Sequence, residues 1–314
     1  MERRLRPGDT VEVLSEDEIL ATFDRAGAVD AMPFMPEMAR YLGKRFTVSR
    51  RAEKICDTVQ ATATSRRLRD TVLLDDLRCD GSAHGGCQAG CRIYWKESWL
   101  RKVTPGTSEQ DEPRQSIEAL LALTAGQAVR SDDEVQTYAC QATAAYVASQ
   151  PLSKFDVRQY LREIVGGNVG PLHFARVAVY AMSTKLRRPK QTQRPPAAER
   201  PRPLDLQPGE MVEVRSHEEI AATLDDSGRN RGLWFDREMV PFCGGRFRVQ
   251  DRVERIVNEA TGRMINISRD CIVLAGVVCS GEDSTGRWFC PRATYSYWRE
   301  EWLRRVDQEP SPIS

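Results

Sequence analysis

Three cysteines and a histidine lie close together in the stretch RCDGSAHGGCQAGCRIYWKESWL. Three residues separate Cys87 from Cys91 in a glycine-flanked loop, and seven residues separate Cys79 from Cys87. Thiolate and imidazole groups are ligands that zinc favours in proteins, and a closed set of four ligands is typical of a structural site. The stretch therefore predicts a metal site, with zinc as the expected ion, in which Cys56 or His84 completes a tetrahedron with these three cysteines.

The cysteine spacing leaves other interpretations open, because it is not one of the usual Cys-x2-Cys pairs. Three cysteines with a spare histidine are also compatible with an iron–sulfur cluster. In a metalloenzyme the site would keep one position open, with His84, Asp80 or Glu97 assisting proton transfer. We expect His84 to be exposed, since it stands between Ala83 and Gly85. Buried thiols without any metal are the remaining interpretation, because cysteine is among the most often buried residue types.

A variant of the same stretch returns at residues 278–303. Residues 5–13 match residues 206–214, which lie 201 positions later in the chain. Further identities follow at this offset of 201 residues, and the offset becomes 200 and then 203 further along the two stretches. Chance does not explain so many identities in register, so the sequence predicts two copies of one domain. The aligned positions include Glu37 with Glu238, Cys79 with Cys279, and Cys87 with Cys290.

The second copy carries a weaker form of the metal pattern. Its candidate ligands are Cys279 and Cys290, but Val257 and Thr294 stand where the first copy has its other two cysteines. We therefore expect a metal more strongly in the first copy than in the second. Cys140 lies between the copies, amid alanines and tyrosines, and we expect it to pack in a core.

The predicted fold class is α+β, with two homologous small β-rich domains flanking a helical middle segment. Residues 7–13 and 208–214 both read Pro-Gly-acidic-x-Val-Glu-Val, which predicts a turn followed by a half-buried strand. Short strands with glycine turns then favour a small open barrel. The opening of each copy resembles the first strand of SH3-like or KOW-type barrels.

Composition and helix signals divide the rest of the chain. In the middle, helices are predicted to begin at Ser116, Ser131, Asp156 and Pro171, the second of them running through Tyr146. The predicted divisions are a first repeat at 1–104, a linker at 105–115, a helical domain at 116–186, a Pro/Arg-rich linker at 187–205, a second repeat at 206–307 and a tail at 308–314.

Three motifs together resemble an uncharacterised bacterial family with a duplicated cysteine-rich domain. They are Cys-Asp-Gly-x-x-His-Gly-Gly-Cys at residues 79–87, Cys-Gln-Ala-Thr at residues 140–143 and Arg-Gln-Tyr at residues 158–160. The resemblance covers nearly the full chain. It implies a duplicated architecture but brings no activity with it.

Aromatic side chains near the end of each copy offer a candidate binding surface. They lie beside lysine, arginine and glutamate, as in surfaces on which bases or peptides stack. Packing inside a small core is the alternative that the sequence favours, because large aromatic residues dominate such cores. The residues concerned are Tyr94, Trp95, Trp99, Tyr297, Trp298 and Trp302.

Bulk composition narrows the function classes. The 46 basic and 45 acidic residues give a net charge of +1, which argues against a large footprint for nucleic acid or an anionic membrane. Without an apolar span or an export signal, we expect a cytoplasmic protein with reduced cysteines. The sequence therefore predicts a zinc-binding module that holds a protein partner. A metalloenzyme or iron–sulfur protein is the alternative, and a nucleic-acid-binding barrel is a second one.

Overall fold

The computed structural model describes residues 4–60, 64–104, 117–132, 135–153, 155–186, 203–283 and 287–306. The fold is mixed α+β with several antiparallel sheets. The predicted linker at 105–115, most of the linker at 187–205 and the tail at 308–314 lie outside these ranges. Within them, no helix has the length and apolar character needed to cross a membrane.

We call residues 4–104 the first segment, 117–186 the middle region and 203–306 the second segment. The first segment contains β1 (Thr10–Val13), α1 (Glu16–Leu20), β2 (Ala28–Val29), β3 (Met32–Pro33), a 3-10 helix (Pro36–Tyr41), β4 (Arg45–Arg51), β5 (Ile55–Cys56), β6 (Ser65–Arg67), β7 (Thr71–Leu74), β8 (Trp95–Lys96), a 3-10 helix (Glu97–Trp99) and β9 (Leu100–Lys102). The middle region contains α2 (Glu118–Ala128), β10 (Val129–Asp132), β11 (Val135–Tyr138), α3 (Gln141–Ala144), β12 (Gln150–Leu152), α4 (Arg158–Val165) and α5 (Pro171–Leu186). The second segment contains β13 (Met211–Val214), α6 (His217–Ala221), β14 (Arg229–Asn230), β15 (Leu233–Trp234), a 3-10 helix (Arg237–Phe242), β16 (Arg246–Arg252), β17 (Arg255–Val257), β18 (Met264–Asn266), β19 (Ile272–Val278), β20 (Tyr295–Trp298), a 3-10 helix (Glu300–Trp302) and β21 (Leu303–Arg305).

A five-stranded antiparallel sheet forms the centre of each segment. Its order is β8-β7-β4-β1-β9 in the first segment and β20-β19-β16-β13-β21 in the second. The strand that opens each segment alternates as predicted, so that Val11 and Val13, like Val212 and Val214, point into a core. In both sheets this opening strand lies between the next long strand and the last one.

Tryptophans in the last 3-10 helix of each segment occupy the centre of the core. The ring centroid of Trp99 lies 5.3 Å from that of Phe34, and the Trp302 centroid lies 5.4 Å from that of Phe235. Each indole N–H donates to a threonine hydroxyl, at Thr22 or Thr223. Five of the six aromatic side chains considered as a binding surface are buried, and Tyr297 is half-buried, which agrees with the core packing that the sequence favours. The five buried residues are Tyr94, Trp95, Trp99, Trp298 and Trp302.

The middle region departs from the helix predicted between Ser131 and Tyr146. It forms the antiparallel hairpin β10–β11, and α3 begins only at Gln141. Valine, threonine and tyrosine favour strands over helices, and their spacing here also fits a helical period. A tertiary contact resolves the ambiguity, since the Tyr138 N–H donates to the carbonyl of Gly262 at 2.8 Å. The later helices are confirmed as α4 and α5.

The middle region packs closely on the first segment. Strand β12 pairs with β6. The Gln141 side chain accepts the Tyr94 N–H at 2.7 Å and donates to the Tyr94 carbonyl at 2.8 Å, so it continues the backbone pairing of that residue. Arg66 is 7% exposed and donates to the carbonyls of Tyr146 and Ser149. These buried polar contacts fix the middle region in place, because leaving any of the partners unpaired would cost about 1–3 kcal/mol.

A buried lysine joins the three parts of the chain. Lys54 of the first segment is 2% exposed, and its Nζ donates to the Trp288 carbonyl of the second segment at 2.7 Å. The same Nζ lies 4.2 Å from the centroid of the Tyr160 ring on α4. Burial lowers the pKa of Lys54 to about 8, and burial raises the pKa of Glu163, also on α4, to about 7.

The raised pKa of Glu163 predicts that stability falls as the pH rises. Between its ordinary pKa of 4.5 and its folded value of about 7, the folded protein holds a proton that the unfolded chain releases. The loss between pH 5 and pH 7.5 should be on the order of 3 kcal/mol. Glu163→Gln should flatten this dependence in urea denaturation. Glu118→Gln, at an exposed glutamate, is the control, and an unchanged slope in Glu163→Gln would contradict the prediction.

Candidate metal centre

The 3-10 helix Pro36–Tyr41 and the loop that follows β7 bring three potential ligands together. Glu37 lies in the first turn of that helix, and Arg40 in its last turn pairs with Asp80 of the loop at 2.5 Å. Asp80 also accepts the N–H and the hydroxyl of Ser82, which forms a tight turn. The His84 N–H then donates to the Gly81 carbonyl, so the turn directs His84 back towards the helix.

Glu37, Cys79 and His84 form the central group of the site. The Cys79 Sγ lies 2.9 Å from Oε1 of Glu37 and 4.0 Å from Nδ1 of His84, and Nδ1 lies 3.5 Å from the same Oε1. The side chains of Glu37 and His84 are each 1% exposed. Both also retain a buried atom without a hydrogen-bond partner, Oε2 of Glu37 and Nε2 of His84.

The geometry of this group fits a metal ion. Ligands bound tetrahedrally to zinc at 2.0–2.3 Å lie about 3.3–3.7 Å from one another, close to the separations in the group. Burial, with the neighbouring Glu37 carboxylate, raises the pKa of the Cys79 thiol. A divalent cation would reverse this effect, because it favours the thiolate and neutralises the buried carboxylate. The group therefore has the donors and the charge of a cation site.

The corresponding glutamate of the second segment is satisfied by protein atoms. Glu238 accepts the backbone N–H groups of Ser280, Gly281 and Asp283, and the hydroxyl of Ser280. Buried carboxylates normally have such partners. Glu37 faces a thiol and an imidazole instead, and one of its oxygens has no partner. The loop of the first segment therefore places a thiol and an imidazole beside its glutamate, whereas the loop of the second segment places backbone N–H groups and a hydroxyl there.

Cys87, Cys91 and Cys140 lie beside the group but not in it. Together with Cys79 and His84 they line a pocket with an empty volume of about 640 Å³. Burial raises the pKa of Cys91 to about 12. Among the described residues, the Glu37/Cys79/His84 group is the one set of three or more ligand atoms within 4.8 Å of one another. The predicted set of Cys79, Cys87 and Cys91 completed by a fourth ligand is therefore not assembled.

Other predicted ligands lie elsewhere. Cys56 ends β5, and its backbone N–H donates to Sγ of Cys290 at 3.1 Å, so these two cysteines form a separate pair. In a matching contact, the Val257 N–H donates to Sγ of Cys87 at 3.3 Å. Burial raises the pKa of Cys279 to about 12, and Cys279 belongs to no ligand group in the described parts of the chain. Cys56 therefore lies in the pair with Cys290 and outside the Glu37/Cys79/His84 group.

The sequence misjudged two side chains of the site. His84 was expected to be exposed, but its flanking glycines allow a turn with positive φ that buries the ring. Glu37 was missed as a candidate ligand because glutamate on a short helix is usually solvated. Its sequence match with Glu238 of the second segment was the signal that could have found it.

Substitution of Gly81 should disturb the loop that carries His84. Gly81 has φ +73°, and a Cβ there would lie 2.0 Å from the Cys87 carbonyl oxygen. Gly43 has φ +68° with open space around it, so Gly43→Ala measures backbone strain alone. In urea denaturation Gly81→Ala should cost at least about 2 kcal/mol more than Gly43→Ala, because overpacking adds to strain. Equal losses would contradict this account of the loop.

Comparison with family models, with curated proteins and with solved structures gave no match. The interpretation of the site therefore depends on the side chains themselves. The donor atoms of Glu37, Cys79 and His84, their burial and their two unpaired atoms define the candidate centre.

Proposed function

We propose that the protein is a metal-binding module whose ion is held by Glu37, Cys79 and His84. The observation that carries this proposal is the buried cluster of donor atoms, in which the Cys79 Sγ lies 2.9 Å from Oε1 of Glu37 and 4.0 Å from Nδ1 of His84. The other carboxylate oxygen of Glu37, Oε2, has no hydrogen-bond partner. An unpaired buried carboxylate is costly, and a cation supplies the missing interaction. The proposed ion is zinc, since one sulfur, one nitrogen and one oxygen ligand suit it.

An iron–sulfur cluster has less support than zinc. Such clusters are held by several cysteine thiolates, whereas the proposed group contains a single thiol, that of Cys79. Cys87 and Cys91 lie nearby but do not complete a second set of three close ligands within the described residues. An absorption band near roughly 400 nm would restore the cluster as the better interpretation.

A metalloenzyme is the second candidate, because three protein ligands leave a fourth position free. Structural zinc sites are usually closed by four protein ligands, and catalytic sites keep one position for water or substrate. Cys79 and His84 also line a pocket, so the proposed ion would border it. Zinc would there lower the pKa of a bound water or polarise a carbonyl, and Arg292, buried among the residues that line the pocket, would supply positive charge.

The proposed framework is a pair of repeated SH3-like barrels that hold a partner protein in the cytoplasm. The matching strand orders and the matching N–H to sulfur contacts at Cys56 and Val257 support a repeat. A last strand that returns to pair with the first also suits a small barrel. The nucleic-acid alternative loses its main support, since the aromatic side chains that prompted it are packed in the cores.

Metal content tests the proposed site. Protein purified without chelator should contain about one zinc per chain by atomic emission. Glu37→Gln, Cys79→Ser and His84→Ala should each weaken zinc binding at least about 100-fold, because loss of even an outer partner of a ligand costs 10- to 100-fold. Cys243→Ser removes a thiol of the second segment and should bind zinc normally. Normal zinc binding in all three site variants would refute the proposal.

The fourth coordination position separates the two candidates. Protein loaded with Co²⁺ in place of zinc should change its visible spectrum when azide is added, provided that a small anion can bind the ion. An unchanged spectrum would indicate a closed, structural site. Cys140→Ser, at a pocket wall outside the ligand group, is the control and should leave the Co²⁺ affinity unchanged.

A further inference from the structure

Cys56 and Cys290 meet where the first and second segments touch. The backbone N–H of Cys56 donates to Sγ of Cys290 at 3.1 Å, and the two thiols hydrogen-bond to each other. With standard bond lengths, this N–S distance keeps the two Cα atoms within about 7 Å. Two cysteines at such a separation can be bridged with little movement of the backbone.

Arg292 and Arg287 place positive charge near the pair, and Glu259, which accepts from Arg292 at 2.5 Å, offsets part of it. The Arg292 side chain is 5% exposed and lies in the same interface, where its guanidinium donates to Thr58 at 2.9 Å. The hydrogen bond with Cys290, followed by the charges of Arg292 and Arg287, lowers the pKa of Cys56 to about 6. The same hydrogen bond, with burial, raises the pKa of Cys290. These shifts make Cys56 the more acidic thiol of the pair.

The two cysteines differ in access. Cys56 is half-buried and lines a small pocket of about 190 Å³ with Thr58 and Tyr146. Cys290 is 5% exposed and lies behind it. A reagent would reach Cys56 first, and Cys290 would then be within reach of the sulfur that had reacted. This arrangement matches an attacking and a resolving thiol.

We propose that Cys56 and Cys290 form a redox-active dithiol that exchanges with small-molecule disulfides and, once oxidised, links the first and second segments covalently. The pair shares no residue with the Glu37/Cys79/His84 group, so it is independent of the proposed metal site. The substrate class is a low-molecular-weight disulfide, because the pocket at Cys56 is small and a larger oxidant would not enter it.

The exchange proceeds in two steps. The Cys56 thiolate attacks one sulfur of the small disulfide, whose S–S bond breaks, and the released thiolate takes up a proton from water. The Cys290 thiol then loses its proton, and its sulfur attacks Sγ of Cys56, which releases the second half of the reagent as a thiol. The protein loses two thiols and gains one disulfide, while the small disulfide is reduced to two thiols.

Thiol counting with bis(2-hydroxyethyl) disulfide as the oxidant tests the proposal. After exchange at pH 7.5, the denatured full-length chain should expose seven alkylatable thiols out of its nine cysteines, and peptide mapping should find Cys56 joined to Cys290. Cys290→Ser should stop at a mixed disulfide on Cys56, seen as one added reagent fragment by mass. Cys56→Ser should keep all eight of its remaining thiols.

Cys243→Ser is the matched control, since it removes a half-buried thiol elsewhere and should still lose two thiols. Mapping of the unsubstituted chain needs no folded variant, so it decides the question if Cys56→Ser fails to fold. Nine free thiols after treatment, or a disulfide between other cysteines, would overturn the proposal. Glu37→Gln should retain the exchange, so failure of the metal site and failure of the dithiol are told apart.

Discussion

A buried carboxylate needs hydrogen-bond donors or a positive charge beside it. This constraint on Glu37 and Glu238 governs the loops that face them. In the second segment the loop donates backbone N–H groups to Glu238, so both of its carboxylate oxygens have hydrogen-bond partners. In the first segment the loop instead presents Cys79 and His84. The metal ion proposed above would supply positive charge to this carboxylate, with the donors already in place.

The contact between the first and second segments includes hydrogen bonds to cysteine sulfur atoms. A backbone N–H donates to a cysteine sulfur in each direction, from Cys56 to Cys290 and from Val257 to Cys87. Sulfur accepts such bonds weakly as a thiol and strongly as a thiolate. The interface therefore favours charge on sulfur where an arginine such as Arg292 can balance it. In the proposals above, one thiol of the first segment serves a metal, and a pair of thiols across the interface serves redox exchange.

In the described residues, the middle region packs on the other parts of the chain and is not an independent domain. Gln141 and Arg66 tie it to the first segment through buried backbone carbonyls. Lys54 reaches from the first segment to a carbonyl of the second, against the Tyr160 ring of α4. These contacts connect the three parts of the chain, and Gln141 also lines the pocket beside the candidate metal centre. Replacement of Gln141 should therefore alter the pocket.

The sequence by itself determined the local elements and the matching of residues 5–13 with 206–214, because alternation, capping and turn residues act over a few positions. The strands that open each segment followed from it. Tertiary structure decided the rest. The hairpin β10–β11 formed where periodicity was ambiguous, and His84 turned inward because of a glycine turn. Which cysteines meet depended on contacts across 234 residues, which no local pattern encodes.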